Sequence, residues 1–317
     1  MQIGMAFDDR SRALVALGHA LRRCGYAFVT VTPRTHRRVL ERAARRGELE
    51  ARSLRDVFGW SMPFAPALLP PELLDCLRRA DAVEPAGDLL RSRVRVSTLG
   101  EAMFVHSAFP TADENAVFFG PDTYRFCALL QRVAASASRI VDIGCGTGAG
   151  GIVSARGGYE RLVLSDVNPY ALQLTRVNAA LAGIQAEVVQ SDLLQGVSGK
   201  FDLIVANPPY MHDPAARTYR HGGGDYGEAL SVRIVREALP RLARGGTLVV
   251  YTGSAIVNGT DTFERSVQPA LAAVVGDCVT TYSELDPDVF GEELDEPAYA
   301  RVDRIAAVAL TVRVSAK

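Results

Sequence analysis

Two short stretches carry the residues that could do chemistry. The first is Asn207-Pro208-Pro209-Tyr210, which follows the apolar run 203–206. Its two prolines bring no N–H and hold the backbone extended. The loop therefore offers mainly acceptors, the Asn207 amide and the Pro208 carbonyl, together with the flat ring and hydroxyl of Tyr210. That set suits a planar, hydrogen-bond-donating group such as an amide or a base amine. An ordinary proline-rich turn would use the same residues, so the surroundings have to decide. The second stretch is Gly144-Cys145-Gly146-Thr147-Gly148, with Asp142 just before it and Asp166 and Asp192 further on. Glycines between a strand and a helix let the backbone turn tightly and approach a ligand closely. Asp166 is placed to accept hydrogen bonds from ribose hydroxyls, and Asp192 to meet an adenine amine. These features fit any adenosine-bearing cofactor, NAD included. Two points argue against a dehydrogenase: the spacing is Gly-x-Gly-x-Gly, and Asn-Pro-Pro-Tyr has no role in hydride transfer. No Walker lysine follows the glycines, which excludes phosphate-loop chemistry.

The elements that must position these residues alternate regularly from Arg139 onward. Strands are expected at 140–143, 162–166, 186–190, 201–206 and 247–251, with closing strands at 279–285 and 305–314. Helices are expected at 169–182, 229–243 and 262–275. The unbroken apolar run 203–206 marks a strand buried on both faces. Repeated units of this kind predict an α/β, doubly wound, mostly parallel sheet, whose ligands bind at the carboxyl ends of its strands. Before it, residues 118–126 (FFGPDTYRF) open a helix that runs to Ala134, capped near Asp122 or Thr123 or serving as a lid across the site.

The N-terminal 115 residues read differently, as a smaller α+β domain. Helical spacing covers 11–27, with Leu14, Leu17 and Leu21 on one face. A short strand is expected at 28–31, an Arg-rich helical segment at 35–52 and a helix at 71–80. A turn follows at 83–90, then an alternating edge strand at 91–98. Helices followed by a hairpin suggest a winged-helix-like module, and 99–118 reads as a connection to the second domain, 116–317.

Composition bounds the partners. The 317 residues are 48% hydrophobic and 22% charged, with a net charge of −1. Residues 1–60 hold 12 arginines and 6 acids, a basic end that would meet RNA, an acidic partner or only water. Only Lys200 and Lys317 are lysines. The five cysteines are scattered with no C-x-x-C spacing, which argues against a disulfide framework or a metal site and for the reducing cytoplasm. MQIGMAFDDR has no signal core, and no run of 18 apolar residues predicts a membrane span.

Residues 116–317 resemble class I S-adenosylmethionine-dependent methyltransferases, in the branch with an Asn-Pro-Pro-Tyr loop. The resemblance rests on VDIGCGTGAGG, LSDVNPYAL, QSDLL and VANPPY, in that order. It implies a Rossmann-like seven-stranded sheet and S-adenosyl-L-methionine as cofactor. The implied cofactor contacts are Asp142, Gly144, Cys145, Gly146 and Gly148 on the methionine part, Asp166 with Val167 on the ribose, and Asp192 with Leu193 on the adenine, with Asn207 beside the methyl group. The catalytic set is Asn207, Pro208 and Tyr210. The two acceptors would orient the lone pair of an –NH2 group toward the methyl, and Tyr210 would cover the flat substrate. In that branch the methylated atom is a nitrogen conjugated to a π system. FFGPDTYRF and the Gly-rich 219–227 look like release-factor glutamine methyltransferases, which makes Phe119, Asp122, Thr123, Tyr124 and Arg220 substrate candidates. The N-terminal part is not the helical bundle of those enzymes. A protein glutamine is the first expectation, an RNA base amine the second and a small biosynthetic molecule the third, with a non-catalytic cofactor binder as the remaining alternative. No metal is expected. The acidic 284–296 (ELDPDVFGEELDE) is either a solvated loop between the closing strands, or a gate or a dock for a basic partner.

Overall fold

In a computed structural model, residues 7–111, 113–133, 137–213, 217, 219–274 and 276–316 are described. The expected helix end at Ala134, the helix end at 275 and residues 1–6 lie outside them.

Four helices open the chain: α1 (Asp9–Arg23), α2 (Pro33–Arg45), α3 (Leu54–Phe58) and α4 (Pro71–Arg79). Asp8 caps α1, accepting the Ser11 N–H, and Leu14, Leu17 and Leu21 are buried as the spacing requires. Two antiparallel hairpins follow, β1 (Val83–Ala86) with β2 (Leu89–Ser92) and β3 (Val94–Leu99) with β4 (Ala102–Ser107). The expected turn at 83–90 is thus the first hairpin, and part of the expected connection 99–118 is the fully buried strand β4. Residues 28–31 form no strand. The Phe28 carbonyl accepts both the N–H and the hydroxyl of Thr98, but the Thr30 N–H donates to the Tyr124 hydroxyl, so no ladder propagates.

The remainder is built on one sheet. After α5 (Pro121–Val133) come β5 (Arg139–Ile143), α6 (Ala149–Ser154), β6 (Arg161–Asp166), α7 (Pro169–Ala182), β7 (Glu187–Gln190) and β8 (Phe201–Ala206). Then follow α8 (Ala229–Ala238), β9 (Leu242–Val257), the short β10 (Thr260–Asp261), α9 (Thr262–Ala272), β11 (Cys278–Asp286) and β12 (Arg304–Val314). The strand order is β11-β12-β9-β8-β5-β6-β7, with β10 paired to β9. Strands β7, β6, β5, β8 and β9 are parallel, while β12 and β11 run antiparallel at one edge. This is the doubly wound seven-stranded sheet the sequence predicts. Pro240 ends α8 earlier than expected, and Arg244-Gly245-Gly246, ahead of the expected strand 247–251, lies inside β9.

Helix α7 joins the two parts. Its Ala171, Leu174, Val177 and Leu181 share a core with α1 and α4. Its fully buried Asn178 accepts the Val105 N–H at 2.7 Å and donates to the carbonyls of Val105 and Thr147. One side chain thus closes the edge of β4 and braces the glycine loop.

Candidate active site

Strands β5 and β8 lie side by side, with Ile143 opposite Ala206. The chain leaves β5 toward β6 on one side, and leaves β8 toward β9 on the other. At such a switch point the two following loops part and open a crevice. Those loops are Gly144–Gly148 and Asn207–Tyr210; residues 144–147 of the first and 207–210 of the second line one cavity of about 600 Å³, whereas Gly148 does not reach it.

At one end of the cavity, Gly144 and Gly146 have φ of 65° and 55°, and a Cβ on either would meet nothing within 4 Å. The loop is a bare backbone cradle facing open space. Asp166, at the end of β6, accepts the Gly146 N–H on one oxygen and the Asn168 N–H on the other, both at 2.9 Å. A carboxylate has about four acceptor sites, so two hydroxyls can still be taken. Asp142 is 2% exposed and accepts the Gly151 N–H at 2.8 Å. Burial, opposed by that bond and reinforced by the Asp166 charge, pushes its carboxyl up to about 7. Cys145 is buried against Thr175, and burial raises its thiol well above the usual range, so it is no nucleophile. Val167 is a large exposed apolar side chain on the cavity, and Leu193 stands at φ 49° beside it. Asp192 lines the cavity, but each of its oxygens also takes a bond from Arg233 of α8, at 3.0 and 2.8 Å, so the side chain is oriented by a salt bridge while it keeps acceptor capacity.

At the other end, Asn207 is half-buried and lines the cavity, and no side-chain partner holds its amide among the described residues. Tyr210 is not the open face expected. Its ring lies over Gly253, where a Cβ would come within 2.2 Å, and its hydroxyl donates to Asp122 at 2.5 Å. Burial beside that carboxylate raises the phenol far above its ordinary range. Asp122 and Thr123 line the cavity, but Phe119 and Tyr124 do not. Phe119 is wholly buried, stacked on Phe104 and His106, and the Tyr124 hydroxyl accepts the Thr30 N–H. Phe118, one residue earlier, faces the cavity instead, since neighbouring residues in an extended segment point opposite ways. Arg220 lines the cavity and pairs with Glu293. Phe290, at φ 55°, and Arg37 of α2 also line it. The acidic stretch is tied down in part: Asp286 pairs with Arg125, Glu284 with Arg304 and Glu292 with Arg34, while Asp288, Asp295 and Glu296 stay exposed.

This crevice matches a known sequence pattern: residues 126–267, from α5 into α9, fit the family model of the methyltransferase small domain. The chain is similar to a putative protein N5-glutamine methyltransferase of Methanocaldococcus jannaschii, 35% identical over 121 residues, which are 36% of this chain and 61% of that protein. It is also similar to a release factor glutamine methyltransferase of Deinococcus radiodurans, 35% identical over 158 residues, 44% of this chain and 55% of that one. A ribosomal RNA small subunit methyltransferase C of Sodalis glossinidius is 36% identical over 116 residues, 36% of this chain and 30% of that one. The chain thus spans less than two thirds of each of these relatives.

The matched stretch, 126–267, supplies the glycine cradle, Asp166 and Asn207. The rim reaches beyond it, to Arg37 and Phe109 before it and Phe290 after it. Sequence reading missed Phe109, Phe118 and Phe290 because nothing local distinguishes a cavity-lining aromatic from a core one. Among the described residues there is no group of three or more His, Cys, Asp or Glu able to hold a metal ion, and no helix is long and apolar enough to cross a membrane.

Proposed function

We propose that the chain transfers the methyl group of S-adenosyl-L-methionine to a planar –NH2 nitrogen, with a protein glutamine amide as the first candidate acceptor. The observation that carries this reading is the Asn207 amide at the end of β8, opening into the same cavity as the glycine cradle and Asp166. The residues present fit the cofactor: Gly144 and Gly146 leave room for a closely approaching ligand, and Asp166 keeps capacity for a ribose. When bound, the cofactor would supply an electrophilic methyl on a sulfonium. Asp142 and residues 144–148 would hold its methionine part and Val167 with Leu193 would flank its base. The Asn207 amide oxygen and the Pro208 carbonyl would accept the two N–H bonds of the target, aligning its lone pair and stabilising positive charge growing on nitrogen. Two of the relatives are named for protein or release factor glutamine, which puts that acceptor first.

A second reading, an RNA base amine, draws on a specific observation. Helix α2 turns Arg34, Arg37, Arg38, Arg42 and Arg45 to solvent with one acid, Glu41, and its first turn reaches the cavity rim. Tritiated S-adenosyl-L-methionine and a host extract split into protein, RNA and small-molecule fractions separate the readings. Label in one protein band supports the glutamine acceptor. Label in RNA, lost with added salt, moves the function to the second reading. Label only among small molecules recasts the N-terminal part as a pocket cover. No label in any fraction with the wild type, against loss of label by Asn207→Ala as the expected control, would sink methyl transfer altogether.

A further inference from the structure

Both ends of the cavity touch one helix. Asp122, in the first turn of α5, is 6% exposed and takes hydrogen bonds from Tyr210 at 2.5 Å and Tyr251 at 2.8 Å. Its third partner is Arg125, at 3.2 Å, which reaches on to Asp286 at 2.7 Å. One turn later, Phe126 abuts Gly150 in α6, where a Cβ would lie 2.5 Å from the ring. Helix α6 continues directly from the glycine cradle. A single 13-residue helix thus contacts the acceptor loop through Asp122 and the helix behind the cofactor loop through Phe126.

The acceptor loop needs such a tie. Asn207, Pro208 and Pro209 make no side-chain hydrogen bond among the described residues, and the backbone is next fixed where Met211 donates to Arg220. Between these, Tyr210 is held by Gly253 under its ring, by the edge of Phe290 at 6.0 Å and by Asp122 at its hydroxyl. Only the last of these is directional. Gly222 and Gly227 also abut the Tyr210 backbone, so the bond to Asp122 adds direction to a loop already packed, and a shift of the ring would reach Asn207 three residues away. We infer that Asp122 is a positioning residue that fixes the Asn-Pro-Pro-Tyr loop through Tyr210, and that α5 thereby sets the spacing between methyl donor and acceptor nitrogen. The inference rests on the methyl-transfer reading above. A displacement near 1 Å at a reacting centre costs on the order of a hundredfold in rate, so the tie acts on turnover rather than on affinity.

The test uses the full chain, the extract fraction that the wild type labels, and S-adenosylhomocysteine binding by calorimetry. Asp122→Asn keeps the volume, Tyr210→Phe removes the donor that holds the loop, and Tyr251→Phe removes a donor that does not. The first two should each lower the maximal labelling rate by on the order of tenfold or more. The half-saturating extract concentration and the S-adenosylhomocysteine affinity should stay within about twofold, and Tyr251→Phe should cost less than about threefold. The double variant of Asp122→Asn with Tyr210→Phe should be no worse than the poorer single one, since both cut the same tie. Wild-type rates in both single variants would overturn the inference. So would a Tyr251→Phe as damaging as Tyr210→Phe, or a loss of S-adenosylhomocysteine affinity parallel to the loss of rate. A wild type that labels nothing removes the methyl-transfer reading and this inference with it. A labelling wild type with unaffected variants removes the inference alone.

Discussion

The two ends of the cavity are built in opposite ways. The end with the glycine cradle comes from one stretch of chain, 142–193, whose three cavity-lining acids, Asp142, Asp166 and Asp192, sit at or near the carboxyl ends of strands. Asp142 and Asp166 accept backbone N–H groups of the same stretch and keep spare acceptor capacity. The acceptor end is assembled from stretches far apart: Arg37 of α2, Asp122 of α5, the loop after β8, and Phe290 with Glu293 between β11 and β12. There the polar side chains hold one another, Tyr210 on Asp122 and Arg220 on Glu293, and Asn207 stands among them with no side-chain partner among the described residues. The difference teaches that a contiguous site can present its polar groups to a ligand, whereas a site gathered from several elements spends most of them on its own geometry.

The comparison breaks most visibly at Asn207. Asn207→Ala should cut labelling on the order of 10²–10³-fold, as loss of one charge-stabilising partner does elsewhere, while S-adenosylhomocysteine affinity stays within about twofold. Equal losses in both would mean that the two ends are not separable.

Asp142 comes next. Its folded carboxyl is raised from 3.8 to about 7, chiefly by burial. The folded state therefore binds the proton more tightly than the unfolded state. The stability that this supplies is complete below about pH 4 and is lost as pH rises to 7. Asp142→Asn keeps the neutral form throughout. Its stability advantage over the wild type should be wider by about 2 kcal/mol at pH 8 than at pH 5.5, read from urea unfolding. A gap independent of pH would show that the acid is already ionised in the fold. The same group predicts proton release when S-adenosyl-L-methionine binds near pH 7, if its methionine ammonium faces Asp142; calorimetry in two buffers of different ionisation enthalpy checks it.

Asp166→Ala should weaken S-adenosylhomocysteine on the order of tenfold, and unchanged affinity would remove the ribose assignment. The smallest effect belongs to Glu293→Gln. The Arg220–Glu293 pair is partly exposed, at 26% and 16%, so its loss should change unfolding free energy by under about 1 kcal/mol and leave cofactor affinity untouched. A larger loss would make the pair a structural clasp of the acceptor end.

Some of this was legible along the chain because the relevant physics is local. The turn at Gly144 to Gly148 requires left-handed backbone, and glycines announce it. The strand β8 reads as apolar because both its faces are covered. Asp166 follows from its place at a strand end. Other features depended on partners distant in sequence. Asp192 is legible as an acid beyond a strand end, but its salt bridge to Arg233, 41 residues later, is not. Phe118 and Phe119 are the same residue type, and only the direction of the backbone sends one to the cavity and the other to the core. The acidic stretch after β11 reads as solvated until the arginines of α2, α5 and the post-β8 segment meet part of it.

The sequence by itself determined the doubly wound sheet, the glycine cradle and the acceptor-rich loop, because strand alternation, positive φ and missing N–H groups are properties of residues and their immediate neighbours. Tertiary structure alone decided which side chains remain free to meet a ligand. A carboxylate, phenol or guanidinium is spoken for only when folding brings its partner within about 3 Å, and for Asp122 and Tyr210 that partner lies 88 residues away.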